Sequence, residues 1–260
     1  FREGVNGGEP RLLVKFDGFV TNVGQGALEV SGNPQIEDPG HPDAVHQRAE
    51  TAPGSGPMWR EGARRPHKIV GTPEVIFEDG DGHNHFHLQH VMRYSLWTTD
   101  RAAQAAPGQK VGFCLYDIEH APQPRPAPGP AVYSDAETRF CETTNNGRTP
   151  GPRSTRLVMG VSPGWRDVYH RELAFQWVDV SDTAPGRYML AAEADPDDRV
   201  WEGDRAGPRP RAYADDQPVV VPGHLARART VAQDPGGVEV TLAAERFGSP
   251  GPVRYRIVEG

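Results

Sequence analysis

The chain has 260 residues, 36% of them hydrophobic, with a net charge of −7 and a mean hydropathy of −0.63. This balance predicts one large water-soluble domain over residues 1–260 and excludes the positive field that a nucleic-acid backbone requires. No apolar run approaches the roughly 20 residues needed to cross a bilayer, and residues 1–10 lack a basic flank and an apolar stretch, so no membrane partner is expected.

With 30 glycines and 26 prolines the chain is punctuated too often for long helices. Residues 12–19, 27–30, 74–77, 173–180 and 187–194 are short runs rich in β-branched and aromatic side chains, bounded by turn residues, and are predicted as strands. Toward the end, Val238, Val240 and Leu242 alternate with Glu239 and Thr241. Val253, Tyr255 and Ile257 alternate in the same way with Arg254 and Arg256. That is the period of a half-buried strand, and residues 248–251 between them read as a hairpin loop. Segments 33–66, 121–130 and 143–154 are loaded with Pro, Gly and polar residues and are predicted as long loops. The fold class is all-β, an antiparallel β-sandwich with these long loops around a site.

That site is announced by His83, His85 and His87 in Gly82-His83-Asn84-His85-Phe86-His87-Leu88. On an extended strand the three imidazoles leave one face, while Asn84, Phe86 and Leu88 occupy the other. Three histidines at this spacing read as metal ligands, with the flexible Asp79-Gly80-Asp81-Gly82 turn bending the chain so that the outer rings lean inward. His90 has the wrong offset to join them. Imidazole ligation suits copper, zinc, iron or nickel and leaves open positions, as in a catalytic site. Cys114 and Cys141 are the only cysteines and lie outside any CxxC spacing; a single disulfide is their simplest use, which favours an oxidising compartment.

Three further blocks follow the histidines: Lys110-Val111-Gly112-Phe113-Cys114-Leu115-Tyr116-Asp117, Gly160-Val161-Ser162-Pro163-Gly164-Trp165-Arg166-Asp167-Val168-Tyr169, and Gln176-Trp177-Val178-Asp179-Val180 with Pro185 to Leu190. In order and approximate spacing these blocks, with the histidines and Tyr94-Ser95-Leu96, resemble the catalytic domain of the lysyl oxidase family. The resemblance covers about residues 10–205 and leaves 209–260 as an additional β segment. It implies a secreted copper amine oxidase: His83, His85 and His87 would bind copper, and Lys110 and Tyr169 would join into lysine tyrosylquinone. It further implies oxidative deamination of a primary amine or peptidyl-lysine by molecular oxygen, giving an aldehyde, hydrogen peroxide and ammonia. Asp167 and Asp117 are candidates for the base that takes the substrate proton, and a structural role is open for each.

The sequence departs from the family in keeping only two cysteines, which implies one disulfide bracing the lysine-bearing segment. Glu202 and Asp204 match acids of a calcium site found in some animal members, but Gly207 and Pro208 stand where its asparagines would be. Two other expectations compete with the oxidase: a zinc hydrolase on the same histidines, for which no HExxH pattern is present, and a copper-binding sandwich without catalysis.

Overall fold

The computed structural model describes residues 11–51, 57–60, 63–64, 66–78, 85–110, 112–122, 127–134, 153–201, 203 and 214–222, with further backbone strands at 2–3 and between 229 and 256. Every regular element among the described residues is a β-strand and every pairing is antiparallel, so the all-β expectation holds. The strands are shared among small sheets of two to four members.

Two four-stranded sheets supply most of the pairing. In one, Met92–Thr98 pairs with Gly186–Ala194, which continues into Ala214–Val221, and Gln104–Pro107 closes the other edge. In the other, Leu28–Gly32 lies between Leu157–Val161 and His46–Glu50, with His67–Gly71 outside. Three-stranded sheets hold the site: His85–Gln89 runs between Val75–Glu78 and Gly112–Phe113, and Trp165–Tyr169 runs between Gly18–Thr21 and Glu119–His120. Their inward faces share one hydrophobic core that includes Phe86, Leu88, Phe113, Leu115, Met159 and Tyr169.

The structure corrects the expected boundaries in three places. Residues 12–19 are two strands, Arg11–Lys15 and Gly18–Thr21, because the first pairs with Trp177–Asp179 and the second with Trp165–Tyr169. The chain changes sheets at Asp17, whose carboxylate accepts the Arg171 amide and binds its guanidinium. Residues 33–66 are not a loop throughout: they contain the strand His46–Glu50, with its Arg48 almost fully buried. Arg48 can be buried because its guanidinium donates to Ser31 Oγ and to the carbonyls of Ser31, Pro42 and Ala44. Of residues 173–180 only Trp177–Asp179 is a strand, since the chain turns at Phe175 with φ of 61°. Near the end, Gly237–Leu242 and Val253–Arg256 pair as the alternation predicts, while Ser249–Pro250 within the expected 248–251 loop pairs with Glu245–Arg246 just before it. Most of the 143–154 segment lies outside the described residues.

Asp117 belongs to this framework. Its buried carboxylate accepts the amides of Val132, Tyr133 and Ser162 at 2.8, 3.0 and 2.7 Å and the Ser162 hydroxyl at 2.7 Å. Asp117→Ala strands these donors at roughly 1 to 3 kcal/mol apiece, so urea denaturation should show a loss of about 3 kcal/mol or more. A loss under about 1 kcal/mol would mean that the carboxylate does not anchor residues 132–133.

Candidate active site

The histidine strand shows the alternation read from its sequence. Phe86 and Leu88 face the core, and His85 and His87 share the opposite face. The two Nε2 atoms stand 2.8 Å apart and the rings meet edge to face at 89°. Two imidazole nitrogens bound cis to one ion at about 2.0 Å lie about 2.8 Å apart, so this separation fits a shared ion as well as it fits a hydrogen bond between the two rings. Among the described residues no three His, Cys, Asp or Glu side chains form a complete metal cluster. His83, the third predicted ligand, lies outside the described residues, as does the 79–82 turn.

Glu78, which the sequence did not single out, completes the local arrangement. Strand register sets Glu78 opposite His85, and its Oε2 lies 2.7 Å from His87 Nδ1. A carboxylate at Nδ1 favours the tautomer whose Nε2 carries the free lone pair, which here is the nitrogen aimed at His85. His90 turns away, with φ of 62° and its Nδ1 3.4 Å from Asp197 Oδ2, as its offset predicted.

Gly112 brings the lysine block against this strand. A Cβ there would stand 2.9 Å from His87 Cβ and 2.7 Å from Gln89 Nε2, so only glycine permits the approach. Upstream, the Gly108 amide donates to the Tyr94 carbonyl at 2.8 Å and the Gln109 amide to that of Trp177 at 3.3 Å. These bonds draw Lys110 inside, where it is 4% exposed. Its Nζ lies 5.2 Å from the Tyr169 ring centroid and 5.4 Å from that of Phe113.

Tyr169 is buried too. Its hydroxyl donates to the Cys114 carbonyl at 2.6 Å, and its ring meets Phe113 edge to face at 4.8 Å. Burial, followed by the neighbouring Asp167 charge, pushes the phenol well above its ordinary range, so it stays protonated at neutral pH. Asp167 projects from the same strand face two residues earlier. Burial raises its carboxyl to about 7, against the pull of the Tyr169 hydroxyl, the Val168 and Tyr116 amides and the Lys110 ammonium. Lys110, Tyr169 and Asp167 are therefore together in one buried place, whereas Asp117 is saturated by framework donors.

Residues 139–207 match the family model described as lysyl oxidase. Lysyl oxidase homolog 1 of Homo sapiens is 27% identical over 137 residues, 52% of this chain and 20% of that protein. Protein-lysine 6-oxidase of Sus scrofa is 26% identical over 137 residues, 52% of this chain and 45% of that protein. Over this part of its length the chain is similar to the lysyl oxidases. The match spans only a fifth of lysyl oxidase homolog 1 and under half of the pig protein. The region that matches the lysyl oxidase model carries Asp167 and Tyr169, while the histidines and Lys110 precede it.

Two measurements test this geometry. Glu78→Ala should weaken copper(II) or zinc binding by about 10 to 100-fold in calorimetry, and unchanged affinity would remove Glu78 from the site. Asp167 has its folded value raised from 3.8 to about 7, so the folded state holds the extra proton between these limits. Stability from this source is complete below about pH 4 and is lost as pH rises through about 7. In Asp167→Asn that decline should flatten in denaturant titrations between pH 4 and 7, and an unaltered slope would place the proton elsewhere.

Proposed function

We propose that this chain is a copper-dependent amine oxidase of lysyl oxidase type. Its substrates are primary amines, either small molecules or peptidyl-lysine side chains, which it oxidises with molecular oxygen to aldehydes, releasing hydrogen peroxide and ammonia. The observation that carries the proposal is the seating of Lys110 Nζ 5.2 Å from the centre of the Tyr169 ring, with both side chains buried. Two residues distant in sequence and individually unremarkable meet where a lysine amine must add to an oxidised phenol ring to form lysine tyrosylquinone.

In this proposal His83, His85 and His87 hold copper. The 2.8 Å separation of the His85 and His87 nitrogens supports a shared ion. Once formed, the quinone supplies the electrophilic carbonyl and the electron sink for amine oxidation. The chain supplies the rest. Phe113 packs edge to face on the Tyr169 ring and limits its movement, while the Cys114 carbonyl fixes its hydroxyl. Asp167 receives the proton from the substrate carbon next to nitrogen. A carboxyl near 7 both accepts and returns a proton at neutral pH, which suits a general base.

The proposal includes a secreted protein with one catalytic domain over residues 1–260. Cys114 is disulfide-bonded, and Cys141, the other cysteine of the sequence, is its proposed partner. The bond would brace the segment that holds Lys110 and withstand an oxidising exterior.

After copper loading in air, the protein should develop a carbonyl-reactive chromophore and release peroxide with a panel of primary amines. Lys110→Ala and Tyr169→Phe should each lose both signals while keeping the parent's copper affinity. A loaded parent protein with neither chromophore nor peroxide would leave a copper-binding protein without oxidase chemistry. Hydrolysis by a zinc-loaded sample would favour the zinc hydrolase.

A further inference from the structure

Outside the lysine and tyrosine pair, the described residues contain a second buried polar group that the proposed chemistry does not use. Tyr94 and Gln176 come from different parts of the chain and converge above Gly18, the strand partner of Tyr169. A Cβ on Gly18 would stand 2.2 Å from the Tyr94 hydroxyl oxygen and 2.7 Å from Gln176 Nε2, so a missing side chain is what admits them. Tyr94 is 3% exposed and Gln176 is fully buried. On the neighbouring strand Asp167 and Tyr169 project from one face, and Asp167, 3% exposed, bonds through Oδ1 to the Val168 amide.

Four buried polar atoms of these side chains are left without a well-formed hydrogen bond among the described residues: Tyr94 Oη, Gln176 Nε2, Gln176 Oε1 and Asp167 Oδ2, although Tyr94 and Gln176 act on each other and the Tyr169 hydroxyl acts on Asp167. Buried amides, hydroxyls and carboxylates are normally satisfied, and where protein atoms do not reach, internal water does it. The set offers both donors and acceptors, as a water molecule requires.

We propose that Tyr94 and Gln176 hold internal water against Asp167 Oδ2 beside Tyr169 and thereby set how readily Asp167 takes and releases its proton. They are positioning residues that act through Asp167. The titratable groups facing Asp167 are Lys110 from the lysine block, Tyr169 on its own strand and Tyr94 across the core. Tyr94 is itself pushed up to about 12 by burial, so it remains a neutral hydroxyl over the range in which Asp167 titrates. Its share is therefore to orient water, and no charge is required of it. Removing that hydroxyl leaves the carboxylate less solvated and raises its proton affinity further. The inference deepens the assignment of Asp167 as the base.

The test uses the full chain without metal, so that it does not depend on oxidase activity. The protonated-carboxyl infrared band of Asp167, identified by its loss in Asp167→Asn, is followed against pH in the parent, in Tyr94→Phe and in Gln176→Leu. The midpoint should rise in both variants, and a crystal structure of the parent should show ordered water touching Tyr94 Oη or Gln176 and Asp167 Oδ2. In the copper-loaded enzyme Tyr94→Phe should move the pH profile of kcat upward with little change in KM. An unmoved midpoint in Tyr94→Phe, or a parent crystal structure with no water at these atoms, overturns the inference. A moved midpoint and ordered water in a protein without amine oxidation would preserve the water site and sink only the oxidase proposal. If Gln176→Leu does not fold, Tyr94→Phe decides alone, because it removes one oxygen and keeps the ring that packs on Phe16.

Discussion

The candidate site depends on how closely Gly112 and Phe113 pack between two neighbours. On one side their strand pairs with His85–Gln89, and the absence of a Gly112 side chain lets the backbones meet around His87. On the other, Phe113 lies edge to face on Tyr169 with its own surface fully buried. One short strand thus joins the histidines to the tyrosine and draws Lys110, two residues earlier, into the interior. A methyl group at position 112 would have to displace His87 or Gln89, which is why this junction has little tolerance for change.

Three of the buried carboxylates among the described residues, Glu29, Asp117 and Asp167, differ in how completely they are hydrogen-bonded. Glu29 accepts the Met58 and Trp59 amides and the hydroxyls of Ser31 and Tyr133. Asp117 accepts four donors in the same fashion. Both are satisfied and fasten irregular segments to the sheets. Asp167 stands beside Lys110 and Tyr169 and keeps one oxygen without a well-formed hydrogen bond among the described residues. Burial raises this carboxyl to about 7, which sets it apart from the two carboxylates that serve as struts and is the ground on which it is proposed as the base.

Much of this was legible in the residues. The alternation of His85, Phe86, His87 and Leu88 declares a strand with one nitrogen-bearing face, and the structure shows that strand. The lysine and tyrosine blocks were identifiable only as part of a series of motifs, since neither Lys110 nor Tyr169 stands out alone. Asp167 and Asp117 looked equivalent, because each is one acid in a mixed segment and their difference lies in the donors that surround them. Glu78 carried no local signal, and Tyr94 and Gln176 stood in stretches that bear the resemblance without a role being legible for either. Each takes its role from strand register or from the gap above Gly18, and neither follows from spacing along the chain.

Periodicity and punctuation were enough to determine an all-β chain, because alternation and frequent glycine and proline act within a few residues of themselves. The same local rules failed at residues 12–19 and 33–66, where the outcome depended on partners far away in sequence. Asp17 breaks a continuous β pattern because its two halves belong to different sheets, and Arg48 is buried in a presumed loop because its strand pairs with Leu28–Gly32 and its guanidinium donates to Ser31 there as well as to the nearby Pro42 and Ala44 carbonyls. The meeting of Lys110 with Tyr169 was likewise decided only by the tertiary structure. Desolvation and hydrogen-bond geometry depend on which segments pack together, and pairing across the whole chain determines that.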